Sequence, residues 1–288
     1  IYLTFAVLML LSIYAGRIFD LMVLKGDELA TMGQNQRSRT LPLPADRGPI
    51  YDSEGAPLAI TVESRNVTAD QNLIENPAEA AARLAPMLGM DPVELQAKLT
   101  GTDRFVYVTK GLTPEQWRQI KDLGIVGIFS EKTTRRTYPS GTLAANVLGF
   151  VNSEGVGSGG LEMALDSRLK GVDGSRTFEQ GAAGQAIPSA EDILRAPKPG
   201  QGVQLTINRD IQYVAQRAIA TRVRESNSES GTVVVMEAKT GRVLAMATAP
   251  TFDPNNYLDA NKDDMGNRPV TEIYEPGSTG KVLTMSAV

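Results

Sequence analysis

The sequence predicts an α+β protein in which a single N-terminal transmembrane helix precedes two regions of mixed helices and strands. Residues 1–24 are almost wholly apolar, which is typical of a membrane span. Residues 47–196 combine short helix starts with short strand patterns. Residues 197–288 contain a helix, a hairpin and a second helix start, an order that favours a sheet with helices packed on it.

The composition excludes several kinds of site. Hydrophobic residues make up 42% and charged residues 22% of the 288 residues, as in ordinary globular proteins. The net charge is −4 and no long basic block occurs, which argues against nucleic-acid binding. The chain has no His and no Cys. A Ser-His-Asp triad, a Cys-His pair and a zinc site with His or Cys ligands therefore cannot form.

Residues 1–24 are predicted to be a transmembrane anchor. As a helix they would extend about 36 Å, enough to cross the roughly 30 Å hydrocarbon core of a bilayer. Arg17 and Asp20 interrupt the apolar run, and we expect them to pair or to reach the interface. A buried helix and a cleaved signal peptide are the alternatives. Since residue 1 is Ile and the last residues carry no helix stop signal, we expect both ends to be trimmed.

Residues 25–46 are predicted to connect the anchor to the first mixed region. Residues 25–32 continue the helical pattern. Residues 33–46 are polar and contain proline, and Arg39, Leu41 and Leu43 alternate with other residues. This pattern favours an extended connector or an edge strand.

Residues 47–196 predict a mixed region of short elements. Strands are expected at residues 47–51, 57–62, 66–69, 105–108, 125–130, 133–138 and 175–179. Three helix starts share a cap, a following Pro and a Glu or Gln at the third position; they begin at Asn76, Asp91 and Thr113.

Two motifs in this region have competing interpretations. Arg135 and Arg136 could form a basic patch, but we favour an arginine pair that braces a strand end through local carboxylates. The glycines of residues 155–159 only superficially resemble a dinucleotide loop, because they recur at every second position.

Residues 197–288 begin at a predicted domain boundary, Pro197–Gly200. A strand is expected at residues 203–207, followed by a helix capped by Asn208 or Asp210 and a hairpin at residues 232–237 and 242–247. The loop at residues 252–270 is predicted to be solvated. Asp259, Asn261 and Asp263 have calcium-loop spacing, but the loop lacks the required Gly and final Glu.

The stretch Tyr274–Lys281 is the candidate catalytic motif. Pro276 and Gly277 favour a turn, Ser278 is a good helix N-cap, and Lys281 lies one helical turn later. Residues three apart share a helix face, so Lys281 could reach the Ser278 hydroxyl. The positive field of a helix N-terminus would favour a lysine base and a serine nucleophile.

Ser-x-x-Lys alone is a weak motif, and two other observations bear on it. A second copy, Ser167–Lys170, is interpreted as a surface turn. The rival interpretation of residues 277–281 is a phosphate-binding loop, but Glu275 and Val282 stand where that motif needs Gly and Ser or Thr.

Six blocks of the sequence resemble the class B penicillin-binding proteins, the membrane-anchored D,D-transpeptidases of peptidoglycan synthesis, and most closely their division-type (septal) branch. The blocks are Arg47-Gly-x-Ile50-x-Asp52-x-x-Gly55, Arg135-Arg136-x-Tyr138-Pro139, Gly157-x-x-Gly160-Leu161-Glu162-x-x-x-Asp166, Val203-x-Leu205-Thr206-Ile207-Asn208-x-x-Ile211-Gln212, Thr240-Gly241-x-Val243-Leu244-Ala245-Met246-Ala247 with Phe252-Asp253-Pro254-Asn255, and Tyr274-Glu275-Pro276-Gly277-Ser278-x-x-Lys281.

The resemblance implies an architecture. Residues 1–24 would be the membrane anchor, 25–46 the juxtamembrane connector, 47–196 an elongated α+β pedestal of the dimerisation type, and 197–288 the start of a β-lactamase-like α/β transpeptidase domain. The protein would lie in the cytoplasmic membrane as a single-pass protein, with most of the chain outside the cytoplasm.

The resemblance also implies roles. Ser278 would be the acylated nucleophile, with its backbone N–H in the oxyanion hole, and Lys281 the general base. The substrate would be a peptidoglycan stem peptide on its lipid-linked precursor, and β-lactams would acylate the same serine. No metal and no organic cofactor is implied.

One departure limits this expectation. The family's Ser-x-Asn and Lys-Thr-Gly motifs do not occur after Ser278 in these residues, so we expect the stretch alone to be inactive. The alternative function is a non-catalytic membrane-anchored scaffold. Its anchor and pedestal would bind a glycosyltransferase of the SEDS class and other divisome membrane proteins, as the family resemblance implies.

Overall fold

The computed structural model describes residues 2–25, 38–179 and 193–287. The chain divides into two compact units, one of Ile1–Pro44 with Val172–Lys198 and one of Ala45–Gly171 with Pro199–Val288. The predicted helical extension over residues 26–32 lies outside the described residues.

The secondary structure follows in chain order. The strands are β1 (Ser38–Leu43), β2 (Ile50–Tyr51), β3 (Pro57–Ala69), β4 (Val106–Leu112), β5 (Ile128–Thr137), β6 (Gly174–Glu179), β7 (Ile193–Arg195), β8 (Val203–Gln204), β9 (Gly231–Met236) and β10 (Val243–Ala249). The α-helices are α1 (Tyr2–Phe19), α2 (Pro77–Leu88), α3 (Pro92–Leu99), α4 (Pro114–Asp122), α5 (Ala145–Leu148), α6 (Gly160–Ala164), α7 (Asp166–Leu169), α8 (Arg209–Ser226), α9 (Arg268–Thr271) and α10 (Lys281–Ser286).

The first unit contains the apolar helix and a small sheet. Helix α1 continues into a π-helical turn, and Tyr2–Leu24 together are long and apolar enough to cross a membrane, with a mean hydropathy of 1.9. Arg17 Nη1 lies 2.7 Å from Asp20 Oδ2, which confirms the predicted pairing. Strand β1 is the edge strand of a three-stranded antiparallel sheet in the order β1-β6-β7.

The second unit is organised around the long strand β3. It pairs antiparallel with β2, β4 and β5, and β2 pairs parallel with β8. The sequence predicted two strands over residues 57–69 and two over 125–138. Strand structure is confirmed in both stretches, but the predicted breaks were wrong, because each stretch forms one strand. The register runs unbroken from Ile60 opposite Thr137 to Ala69 opposite Ile128, because ladder hydrogen bonds use the backbone and tolerate the polar side chains between.

Helices α2, α3 and α4 pack against β3 and β4. Their shared core includes Val67, Leu84, Leu95, Val108 and Ile120. The three predicted helix starts are confirmed, since the side chains of Asn76, Asp91 and Thr113 each accept a hydrogen bond from a backbone N–H in the first turn.

The C-terminal part of the second unit is the β9–β10 hairpin with α8 against it. The predicted cap is confirmed, because Asn208 Oδ1 accepts hydrogen bonds from the N–H groups of Asp210 and Ile211. The predicted apolar face of α8 is only partly packed. Ala215 is buried, whereas Val214 is 65% exposed. The predicted strand at residues 203–207 is confined to Val203–Gln204.

A buried ion network joins three distant segments of the second unit. Arg47 Nε donates to Glu162 Oε2 at 2.6 Å and Arg136 Nε donates to Glu162 Oε1 at 2.7 Å. Arg47 Nη1 also donates to Asp166 Oδ1 at 2.7 Å, and its Nη2 donates to the Glu162 carbonyl at 2.7 Å. Glu162 is fully buried and Arg47 is 8% exposed.

Two ionisable groups of this network, Tyr138 and Asp166, have pKa values that differ from their ordinary values. Burial raises the pKa of the Tyr138 hydroxyl, as does the negative Glu162 beside it, so this group stays protonated. Burial alone would raise the pKa of Asp166. Hydrogen bonds from Arg47 and from the Gly157 N–H outweigh burial, so this pKa lies below its ordinary value of 3.8. The predicted bracing by a carboxylate is confirmed for Arg136 only, and its partner Glu162 comes from α6 and is not local. Arg135 donates instead to the Gly111 carbonyl.

We predict that Glu162→Gln destabilises the second unit by about 3–5 kcal/mol, because the substitution leaves Arg47 and Arg136 buried without their counter-charge. Urea unfolding measures this loss. The matched control is Glu115→Gln, which breaks an exposed pair with Arg118 and should cost less than about 1 kcal/mol. Equal losses in the two variants would contradict the structural role of the network.

We also predict acid sensitivity from Asp166. Its folded pKa is depressed, so its contribution to stability is complete above its unfolded pKa and is lost as the pH falls through the folded value, below about 3.8. The free energy of unfolding of Asp166→Asn should therefore fall less steeply than that of the wild type in this acid range. Parallel pH profiles would refute the prediction.

Candidate active site

The candidate motif forms a turn that runs into a helix. Gly277–Gly280 is a 3₁₀ turn, and α10 begins at Lys281. Gly277 has φ +55°, a left-handed conformation that glycine adopts without steric cost. The Thr279 N–H donates to the Pro276 carbonyl at 3.2 Å, and the Thr279 hydroxyl donates to the same oxygen.

The prediction that Ser278 caps the helix was wrong. The capping positions are Pro276 for the 3₁₀ turn and Gly280 for α10, and neither makes a side-chain cap hydrogen bond. The reason is local, because the turn at Pro276 and Gly277 already starts the helical path and Ser278 lies within it. Ser278 and Lys281 are three residues apart on this path, a spacing that places two side chains on one face.

The structure does not enclose these two residues. Ser278 and Lys281 are exposed, and within the described part of the chain neither side chain makes a hydrogen bond or an ion pair. Neighbouring apolar side chains are also open to solvent, since Ile273 is fully exposed, Tyr274 is 78% exposed and Leu283 is 76% exposed.

The rival interpretations receive little support. Residues 272–276, which lead into the turn, are not a strand, unlike the approach to a phosphate-binding loop. The second Ser-x-x-Lys copy lies at the surface as predicted, since Ser167 and Lys170 are exposed. It is not a turn, because residues 166–169 form the short helix α7, and Leu169 between them is buried in the core. Among the described residues, no group of three or more His, Cys, Asp or Glu side chains could hold a metal.

The sequence missed a set of side-chain amides that hold the loop before the motif. Residues 252–270 were predicted to be solvated, yet Phe252 is 4% exposed and Pro254 is buried. Asn146 donates to two carbonyls of this loop, and Asn255 of the loop bonds to both backbone groups of Tyr138. Isolated Asn residues carry no periodic signal, so only the tertiary structure identifies these contacts.

Two protein-family models match the chain in succession. The penicillin-binding protein dimerisation domain matches residues 42–205, and the penicillin-binding protein transpeptidase domain matches residues 231–288. The first match alone covers more than half of the chain.

Curated relatives show the same similarity over nearly the whole chain. A probable peptidoglycan D,D-transpeptidase, PbpC of Pseudomonas aeruginosa, is 34% identical over 95% of this chain and 48% of its own length. The peptidoglycan D,D-transpeptidase FtsI of Escherichia coli K12 is 31% identical over 97% of this chain and 48% of its own length. The chain thus spans about half the length of the curated relatives it matches.

Solved structures agree with this similarity. Penicillin-binding protein 2X from Streptococcus thermophilus has a TM-score of 0.61 and 28% identity, covering 86% of this chain and 41% of its own. A chain from a study of polymerization and crosslinking by a peptidoglycan synthase complex has a TM-score of 0.62 and 27% identity, covering 98% of this chain and 53% of its own.

We predict that Gly277→Ala loosens the candidate motif and Gly280→Ala does not. An alanine at φ +55° costs about 1–2 kcal/mol, whereas Gly280 has helical φ −62° and its added Cβ would meet Pro276 Cγ at an ordinary 3.5 Å. Hydrogen exchange of the amides of residues 279–286 measures the effect. Faster exchange in Gly280→Ala than in Gly277→Ala would contradict it.

Proposed function

The chain belongs to the penicillin-binding proteins that carry a dimerisation domain, and from this premise we propose that the intact protein is a peptidoglycan D,D-transpeptidase. The proposal includes a serine acyl-enzyme at Ser278 and a role in septal cell-wall synthesis. The observation that carries it is the position of Ser278-x-x-Lys281 within the segment that matches the transpeptidase domain.

The proposed reaction has two halves. Lys281 Nζ accepts the proton of the Ser278 hydroxyl while Oγ attacks the penultimate carbonyl of a D-Ala-D-Ala stem peptide. The Ser278 N–H stabilises the oxyanion, the C–N bond breaks, and the departing D-Ala amine takes the proton from Lys281. An amine of a neighbouring stem then attacks the ester carbonyl and gives one proton to Lys281 Nζ, the C–O bond breaks, and Ser278 Oγ takes that proton. These steps need no metal or organic cofactor.

The same proposal assigns parts to the rest of the chain. Residues 1–24 anchor the protein as a single-pass membrane protein, 25–46 connect, 47–196 form the pedestal and 197–288 begin the transpeptidase domain. A helix long enough to span a bilayer at residues 2–24 supports the anchor. The proposed partners are the lipid-linked stem peptide, β-lactams, and a SEDS glycosyltransferase with other divisome membrane proteins.

We predict that Ser278→Ala abolishes labelling of the intact protein by a fluorescent penicillin, because the acylated oxygen is gone. Gel fluorescence measures the labelling, and mass spectrometry should place the wild-type adduct on Ser278. The matched control is Ser167→Ala, which removes a serine with the same spacing to a lysine, Lys170, and should leave labelling intact.

Two outcomes would overturn the assignment. Labelling of Ser278→Ala at the wild-type level would move the nucleophile elsewhere. Absence of labelling in the wild type, with binding to a SEDS partner retained, would favour the non-catalytic scaffold.

A further inference from the structure

The short helix α5 carries a buried amide that holds the loop preceding the candidate motif. Asn146 is 4% exposed. Its Nδ2 donates to the Asp264 carbonyl at 2.6 Å and to the Gly266 carbonyl at 2.9 Å, and its Oδ1 accepts from the Thr251 hydroxyl at 2.7 Å. Both amide protons are thus used, and one side chain joins both ends of the loop at residues 251–266.

A second amide joins the same two segments, and a third joins the first of them to α8, so the contact is not a single chance bond. Asn255 accepts from the Tyr138 N–H at 2.9 Å and donates to the Tyr138 carbonyl at 3.0 Å. Gln216 of α8 accepts from the Ala144 N–H at 3.1 Å and donates to the Thr142 carbonyl at 2.9 Å. We call residues 138–150 the docking segment.

Aromatic packing continues the contact at the end of the docking segment. The Phe150 ring stacks on Tyr257 with centroids 4.5 Å apart and planes at 19°, and it meets Phe252 edge-on at 6.1 Å. Stacked and edge-on aromatic pairs are favourable geometries. The loop is therefore held at its start, its middle and its end by the docking segment.

The chain beyond this loop reaches Ser278 through helix α9, which has two kinds of support. Arg268 bonds to Glu272 and to the Asp263 carbonyl. The helix also packs against strands β9 and β10, and the Asn267 amide donates to Met246 Sδ at 3.4 Å. In the described residues, the hydrogen bonds of Asn146 are the last ones between the docking segment and the chain before Ser278. The docking segment and the β9–β10 hairpin thus together set the position at which the chain enters the motif.

We infer that Asn146 is a positioning residue, which sets the rate of acylation at Ser278 by holding the loop at residues 251–266. The inference rests on the proposed function. The docking segment lies in the part of the chain that matches the dimerisation domain, and Ser278 lies in the part that matches the transpeptidase domain. The first part would therefore control a reaction in the second. Misplacement of a reacting group by about 1 Å can lower a rate by roughly a hundredfold, even when the mutated residue is far from the reacting atoms. Loss of the Asn146 contacts can therefore slow acylation although Asn146 does not touch Ser278.

The test compares second-order rates of acylation by a fluorescent penicillin in the intact protein. We expect Asn146→Ala to be at least about tenfold slower than the wild type, at a temperature well below its own thermal midpoint. The matched control is Asn152→Ala, because Asn152 Oδ1 accepts only from the nearby N–H groups of Glu154 and Val156 at 3.0 Å. Its acylation rate should equal that of the wild type.

A second pair of variants keeps the test decisive if Asn146→Ala does not fold. Thr251→Val removes the hydroxyl that bonds to Asn146 and should slow acylation, whereas Thr251→Ser retains the hydroxyl and should restore the rate. A lower thermal midpoint with unchanged acylation in the folded variants would mean a purely structural contact, and the inference would be wrong. Failure of the wild type to be labelled at Ser278 would instead refute the proposed function.

Discussion

The second unit depends on the burial of one carboxylate between two guanidinium groups. Glu162 is fully buried and pairs with Arg47 and Arg136, which come from the start of the unit and from strand β5. An unpaired charge in this position would be strongly unfavourable, so the three segments are stable only together. The glycines around α6 allow the close approach, since a Cβ on Gly157 would lie 2.0 Å from the Glu162 carbonyl oxygen.

The buried ion network lies next to the segment that contacts the loop before the proposed site. Arg136 lies one residue before the end of β5, and Tyr138 follows that strand. Tyr138 donates a hydrogen bond to Glu162 through its hydroxyl, and its backbone bonds to Asn255. A continuous series of contacts therefore runs from the buried pair to the loop at residues 251–266.

The proposed catalytic pair differs from the buried ion network in its exposure to solvent. Ser278 and Lys281 are exposed and are related only by their spacing along a helical path. A serine hydroxyl becomes a good nucleophile when a base and oxyanion donors are arranged around the reacting carbonyl. Under the proposed function, the described residues would provide one base, Lys281, and one backbone donor, the Ser278 N–H. The chain spans about half the length of its curated relatives, so the activity of the intact protein is a proposal that rests on family membership.

The sequence alone determined the features that depend on neighbouring residues. The apolar span, the three capped helices, the β9–β10 hairpin and the spacing of Ser278 and Lys281 all follow from local patterns. The family resemblance also came from short blocks, and the matches to both domain models confirm it. Only the tertiary structure decided that β3 and β5 are continuous and that Ser278 is not a helix cap. It alone also showed that Asn146, Gln216 and Asn255 join residues 47–196 to residues 197–288. The physical reason is that polar side chains and strand ladders are satisfied by partners distant in sequence, which no local pattern specifies.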